Sequence, residues 1–448
     1  MTDDESELPY RRRVLKTMGA SALVGGLAGC SSDGGSDGDG SDGEDGTDAD
    51  TSDGESGDGG DGSDGGDGGD GEDTTTTEEE EENNVLEWDP QAPDVWPLPR
   101  FDAGQSNSHS AATPPEPPLS VAWAVTDDFE RSPTDVVVSR EHVVAGGNAV
   151  RAYEKSAGEA VWTYEVGSFG DLLLWDRTVY IVDDGNDVLS AVNVQTGDEH
   201  WSTEMTGQLV EPVYHDGAIY GHTRTDAVAF DAETGDQMWS KQTRNFTGVL
   251  AAADGLVYSS TNEGSDHFVL ARDAGSGEEQ WRSDPVEDEV PQPTMMSVDE
   301  DTLYTVSDDG WVAAFDRESG SRQWLTNAYT DDEISSSGND PEQPVVVGED
   351  HVFLGGFNVH ALSKSDGSEV WSEGRLNQNR HDSRVVDGTL YSLYDPGIIA
   401  YDAADGTELW TYEHPDERWC FETLTVTDGR FYAVGPCGDD QLFVLESE

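Results

Sequence analysis

The chain has 448 residues, long enough for two or three ordinary domains or one large repeat fold. It carries 95 acidic against 23 basic side chains, a formal net charge of -72, and its lysines are only Lys16, Lys155, Lys241 and Lys364. With no basic patch to neutralise phosphates, nucleic acid is excluded as a partner.

In chain order the first element is Arg11-Arg12-Arg13-Val14-Leu15-Lys16, followed by an apolar run from Met18 to Ala28 and then Leu27-Ala28-Gly29-Cys30. The run is too short for a permanent membrane span, and a positive stretch precedes it. It resembles a twin-arginine export signal joined to a lipobox. That resemblance implies cleavage before Cys30, which becomes the lipidated first residue of a protein exported already folded. Residues 1–30 are therefore expected to be a signal peptide. The mature chain is expected at the cell membrane, lipid-anchored on its extracytoplasmic face.

Residues 31–84 are mostly Gly, Asp, Ser, Glu and Thr, and 31–82 hold 22 carboxylates and no base. Such a segment buries too little to offset its ordering entropy and is expected to be a disordered tether spanning about 40 Å. The acidity does not stop there, because residues 83–448 still hold 69 acidic against 19 basic groups. A surface near -50 repels itself unless salt shortens the Debye length, to roughly 3 Å at molar concentration. Many carboxylates with few lysines resemble the proteins of extreme halophiles, so the charge reads first as an adaptation to brine.

From residue 85 onward the pattern is that of one folded domain, 85–448. Beyond residue 120, Ala-x5-Gly-x3-Trp recurs seven times. The copies are Ala152/Gly158/Trp162, Ala191/Gly197/Trp201, Ala229/Gly235/Trp239, Ala271/Gly277/Trp281, Ala314/Gly320/Trp324, Ala361/Gly367/Trp371 and Ala400/Gly406/Trp410. The internal spacing is constant while the Gly-to-Gly step runs from 38 to 47, which marks a structural repeat with variable connectors. Asp-Gly turns between alternating apolar runs, as at Asp216-Gly217, Asp254-Gly255 and Asp387-Gly388, predict tight hairpins ahead of the Ala strand. Four short antiparallel strands in about 40 residues make one propeller blade. Small Ala is expected to let blades approach near the axis, Gly to take the turn before the last strand, and each Trp to pack on the neighbouring blade.

The C-terminal unit has its hairpin at Asp428-Gly429 but no Trp strand, whereas Val121-Ala122-Trp123 is a Trp strand with no hairpin before it. The two fragments complete each other. The prediction is an all-β, eight-bladed propeller of four-stranded antiparallel blades, closed by the N-terminal strand joining the last blade. Trp123, Trp162, Trp201, Trp239, Trp281, Trp324, Trp371 and Trp410 are its blade-docking residues.

The repeat D-G-x-h-Y…A-h-D-x-x-T-G-x-x-x-W resembles the PQQ-like (pyrroloquinoline quinone) propeller repeat of quinone-dependent alcohol dehydrogenases and of the outer-membrane assembly lipoprotein BamB. The lead-in Trp96-Pro97-Leu98-Pro99-Arg100-Phe101-Asp102 resembles an opening common in that family. For a dehydrogenase the resemblance implies a catalytic Asp, a Ca²⁺ site of carboxylate and Asn oxygens, and a vicinal Cys-Cys disulfide over the cofactor. The cysteines here are Cys30, Cys420 and Cys437, so no adjacent pair exists. The expected function is accordingly a membrane-anchored, protein-binding or scaffolding module, with no catalytic residue, no cofactor and no metal. Its partners would be membrane lipid, through Cys30, and an unidentified protein or surface ligand, with the propeller itself a monomer. The alternatives are a PQQ-dependent, Ca²⁺-containing dehydrogenase-like enzyme or an extracellular ligand sensor.

The remaining constellations carry weaker signals. The connector from Asn327 to Pro341 is the best candidate for a recognition loop, although it reads more simply as an inert acidic rim loop. His381-Asp382 reads as ordinary polar residues rather than a catalytic pair. Asp183-Asp184-Gly185-Asn186-Asp187 and Asp308-Asp309-Gly310 are oxygen-rich turns able to hold Ca²⁺ but more simply blade turns. Finally, a two-residue turn at Asp428-Gly429 makes cross-strand numbers sum to 857, which pairs Cys420 with Cys437 in a structural disulfide. Closing that loop would contribute about 3 kcal/mol, unless Pro436 introduces a bulge that shifts the register.

Overall fold

The computed structural model describes residues 88–448 except 127–132, 244–249, 264–265, 286–291, 308–309, 330–344, 356–357, 375–381, 395–396, 415–421 and 438–439. The signal, Cys30, the tether and Cys420 lie outside the described residues, as does the side chain of Cys437.

Eight antiparallel sheets make up the fold, with no helix among the described residues. Blades 1 to 8 begin at Asp135, Phe169, Val210, Leu250, Pro293, Val346, Ser383 and Thr423. The first strand of each blade touches the first strand of the next, and blade 8 returns to blade 1, so the first strands line a central channel. Blade 8 takes Thr423–Thr427, Arg430–Cys437 and Asp440–Ser447 from one part of the chain and Leu119–Thr126 from another. That strand pairs from Leu119↔Ser447 to Thr126↔Asp440, closing the ring as the two fragments of sequence required.

Each blade interface uses one clasp. The repeat Gly has φ between 69 and 76° at all seven positions, a left-handed turn that a Cβ would strain. A Cβ at Gly320 would meet Trp281 Cε3 at 2.4 Å. The turn that Gly makes is the seat for the indole of the preceding blade. Gly320→Ala combines left-handed strain with overpacking and should cost about 2–4 kcal/mol, read as a lowered denaturation midpoint. An unchanged midpoint would refute the seat.

The repeat Ala corrects one expectation. It lies in the third strand, not beside the axis. Ala152 pairs with Trp162, and Ala271 with Trp281. Its small side chain sits where two blades meet, since Ala152 shares one core cluster with Leu172, Val179 and Ile181 of the next blade, and Ala271 shares one with Met296 and Leu303.

All eight outermost strands also carry a bulge at or just before their Trp, between Ala160 and Trp162 for example, or between Val121 and Trp123. The same break occurs before Trp201, Trp239, Trp281, Trp324, Trp371 and Trp410.

Candidate functional site

The eight repeat tryptophans divide into seven clasps and one exception. Trp162 and Trp239 donate Nε1–H to Val194 O and Ala274 O at 2.8 Å. Trp324 donates to Lys364 O at 2.9 Å, Trp281 to Arg317 O at 3.0 Å and Trp123 to Lys155 O at 3.1 Å. Trp201 and Trp371 reach Ala232 O and Ala403 O at 3.2 Å. Each acceptor belongs to the Gly turn of the following blade. Trp410 faces blade 8, whose third and fourth strands are not joined by such a turn. Its ring packs instead on Tyr391 and, edge-on, on Phe431 with centroids 6.1 Å apart.

Scarce bases cluster at these clasps. Lys155, Arg317 and Lys364 supply three of the acceptor carbonyls, and their side chains tie neighbouring blades or the lead-in. Arg317 Nη2 lies 2.6 Å from Asp254 and Lys364 Nζ 2.7 Å from Asp299, in each case on the preceding blade. Lys155 donates to the Asp94 and Ser139 carbonyls, and burial there lowers its pKa to about 8.

The lead-in is the least expected feature. It runs around one end of the channel in blade order, where each first strand turns into the second. Trp96 exchanges backbone hydrogen bonds with Val138 of blade 1, and Pro97 O accepts from Leu174 N of blade 2. Ala103, Gly104, Ser106 and Asn107 carbonyls then accept from Ala252, Val298, Val347 and Val385 of blades 4 to 7. Ser108–His109 adds a parallel strand to blade 7, and Thr113 O accepts from Gly429 N of blade 8. Blade 3 is reached through Arg100, whose Nη2 lies 3.5 Å from Glu211. The thread closes that end of the channel.

Two buried arginines anchor this closure. Arg384 and Asp382, each 2% exposed, form an ion pair in blade 7. Arg384 Nη2 also donates to Pro99 O at 3.3 Å, and its guanidinium lies over Trp96 at 5.5 Å. Asp382 Oδ2 accepts from Leu424 N of blade 8 at 2.8 Å, so the pair bridges two blades and the thread. Arg100 donates to Gln105 Oε1, and Gln105 in turn donates to Leu250 O. Asp102 accepts from Ser106 N at 2.9 Å and from Ser106 Oγ at 2.6 Å.

Burial raises the pKa of Asp102 to about 6 and, against the pull of Arg384, raises that of Asp382 as well. Both groups therefore bind protons more tightly folded than unfolded. Their contribution to stability grows as pH falls through about 6 towards the ordinary carboxylate value. In molar salt the melting temperature should be higher at pH 5 than at pH 7.5, and the reverse order would refute the burial of these carboxylates.

The remaining candidates resolve unevenly. Asp183 accepts from Gly167 N, Ser168 N, Gly185 N and Asn186 N, and from Asn186 Nδ2 at 2.7 Å. These donors hold its pKa down despite burial, and they make the turn a closed loop rather than a cation cradle. Asp308, Asp309 and His381 lie outside the described residues, as do 330–341 of the long connector. The root of that connector is fixed, with Tyr329 Oη donating to Gly355 O at 2.5 Å. In blade 8 the register runs Thr427↔Arg430 to Thr423↔Val434, each pair summing to 857. Glu422 N also donates to Val434 O, so the ladder becomes irregular just before Cys420.

Among the described residues no group of three or more His, Cys, Asp or Glu is placed to hold a metal. The large apolar surface at the closed end, Trp96, is covered by Phe101, His109 and Arg384.

Four-stranded blades, the Gly-seated indole clasp and closure by an N-terminal strand together define a PQQ-like propeller. The family model described as outer membrane protein assembly factor BamB matches residues 120–326 and 356–448, and the chain belongs to that family. BamB of Yersinia pestis is 24% identical over 330 residues, covering 69% of this chain and 73% of that protein. The crystal structure of BamB from Moraxella catarrhalis superposes with a TM-score of 0.58 at 16% identity, covering 73% of this chain and 99% of that one. Quinohemoprotein alcohol dehydrogenase from Comamonas testosteroni is similar in fold, with a TM-score of 0.62 at 14% identity over 79% of this chain and 80% of that one.

Proposed function

We propose that this chain is a lipid-anchored, extracytoplasmic scaffold whose propeller docks another protein at the membrane surface and performs no chemistry of its own. The observation that carries the reading is the use of the channel. One end is closed by the chain's own lead-in, and the buried charges Arg100, Arg384 and Asp382 are spent on holding it there. Membership of a family described as an assembly factor agrees with this. Anchoring rests on Cys30 and the signal-like segment before it, and the acidic surface suits work in concentrated salt.

The test is a titration of the purified protein in molar salt with pyrroloquinoline quinone and Ca²⁺, following tryptophan fluorescence and dye-linked alcohol oxidation. The scaffold reading expects neither saturation nor turnover. Saturable binding with turnover would make the chain a quinone dehydrogenase, the reading its structural likeness to such an enzyme keeps open. Mass spectrometry of the membrane-extracted protein should find the acyl groups on Cys30, and an unmodified Cys30 would remove the anchor.

A further inference from the structure

Backbone strain is concentrated at the thread. Nine non-glycine residues among those described have a left-handed backbone, and three of them lie close together in it: Phe101, Gln105 and Asn107, with φ of 74, 55 and 54°. Five of the other six are Asp, which like Asn visits this region at little cost. The strain therefore falls on Phe101, Gln105 and the remaining residue, Glu211, which meets the thread through Arg100. The thread also buries polar groups that nothing satisfies. Asn107 and Trp96 are 0% exposed, yet Asn107 Nδ2 and Oδ1 and Trp96 Nε1 have no hydrogen-bond partner among the described residues. The same holds for Nδ1 of the buried His109. Water would satisfy all of these groups, so docking the thread costs free energy at each.

The thread is better tied to itself than to most of the ring. Trp96 lies on Phe101 with centroids 4.9 Å apart, and Phe101 stacks on His109 at 4.3 Å. Arg100 bonds Gln105, and Asp102 bonds Ser106, both within the thread. Blades 2, 4, 5 and 6, by contrast, each give it one backbone hydrogen bond among the described residues, from Leu174, Ala252, Val298 and Val347. Many internal contacts and few external ones favour opening as one cooperative unit over fraying bond by bond. The ring does not depend on the thread for its closure. Leu119–Thr126 completes blade 8, and all seven indole clasps end on carbonyls of the ring. Against release stand the burial of Trp96 and Phe101 and the ties of Arg100 and Arg384.

We propose that the thread, residues 92–113, is a strained strap that detaches from the ring as one unit while all eight blades stay closed, so that the channel end it covers is a gate. The proposal does not rest on the docking function above. Detachment relaxes the left-handed positions and lets water reach the unpartnered groups of Trp96, Asn107 and His109. It also frees the N–H groups of Val138, Leu174, Ala252, Val298, Val347, Val385 and Gly429, on blades 1, 2 and 4 to 8, from the carbonyls that now accept them. The opened end thus displays a ring of backbone donors, the complement of an extended chain's carbonyls.

Hydrogen exchange of the full-length protein in molar salt, resolved to single amides by mass spectrometry, tests this. The amides of Leu174, Ala252, Val298 and Val347 should share one protection factor, lower by about a hundredfold or more than that of amides in the middle of the second strands of the same blades. Those strands are Thr178–Asp183, Leu256–Glu263, Thr302–Ser307 and His351–Leu354. Equal protection in thread-facing and second-strand amides would overturn the release. Protection factors that differ by more than about tenfold among the four thread-facing amides would overturn its cooperativity. Thiol labelling under native conditions gives a second reading. Asn107 and Ser392, the latter in the second strand of blade 7, are both 0% exposed. Above the parent's background, Asn107→Cys should be labelled about a hundredfold faster than Ser392→Cys, because only the first becomes accessible when the thread lifts. Equal labelling rates would mean that the thread opens only when the ring does, and the gate would be abandoned.

Discussion

Arg384→Met should lower the stability of the propeller by about 3–5 kcal/mol, the usual cost of leaving one partner of a buried ion pair uncompensated. The side chain is 2% exposed and holds three things together: Asp382, Pro99 O of the thread and the face of Trp96. The loss should not be uniform. Asp382 also accepts from Leu424 N, and this bond crosses from blade 7 to blade 8. That interface is the one where Trp410 finds no turn carbonyl, so the ion pair stands in for the missing clasp. Hydrogen exchange should therefore accelerate first in Thr423–Thr427 and Arg430–Cys437, before any other blade. Adding Asp382→Asn should restore most of the stability, because the uncompensated charge is gone. Lowering the pH should do the same for the single variant, since Asp382 already takes up its proton above the ordinary carboxylate range. A single variant within about 1 kcal/mol of the parent, or one whose exchange accelerates evenly around the ring, would refute the account.

Trp239→Ala should cost about as much, 3–5 kcal/mol in round terms, because a large ring is removed from a close-packed interface. Trp239 is 8% exposed, donates to Ala274 O at 2.8 Å and lies 2.8 Å from where a Cβ on Gly277 would stand. Trp239→Phe keeps much of the packing and loses only the indole hydrogen bond, so it should cost less, about 1–2 kcal/mol beyond the lost ring volume. Trp410→Ala is the internal control. It loses burial but no clasp, and should be the mildest of the eight Trp→Ala changes. Equal midpoints for Trp239→Ala and Trp410→Ala would mean the clasp contributes nothing beyond area.

The repeat was legible because its physical demands recur. Seven left-handed turns need Gly, seven seats need an indole, and both fall at fixed spacing in the sequence. The closing strand was legible from what each terminus lacked. Two things were not. The position of the repeat Ala was misread because the spacing fixes which strand bears it but not how far that strand lies from the axis. The thread was visible only as a short motif around Trp96, since its contacts are made by backbone carbonyls and any sequence can supply those. Arg100 and Arg384 offered a clue of a different kind. In a chain with so few bases outside its first residues, each one has a high chance of being spent on a specific partner, and Arg317, Lys155 and Lys364 follow the same rule.

The bulge at every outermost Trp strand has a consequence for behaviour in a crowd. A sheet edge recruits a neighbour by offering an unbroken row of N–H and C=O groups. Here each exposed row is interrupted near its midpoint, in eight places around the circumference. Glu199, Glu279, Glu369 and Glu408 each stand two residues before the Trp. No foreign strand can run in register past such a break. Discs of this kind can be packed densely side by side without zipping rim to rim.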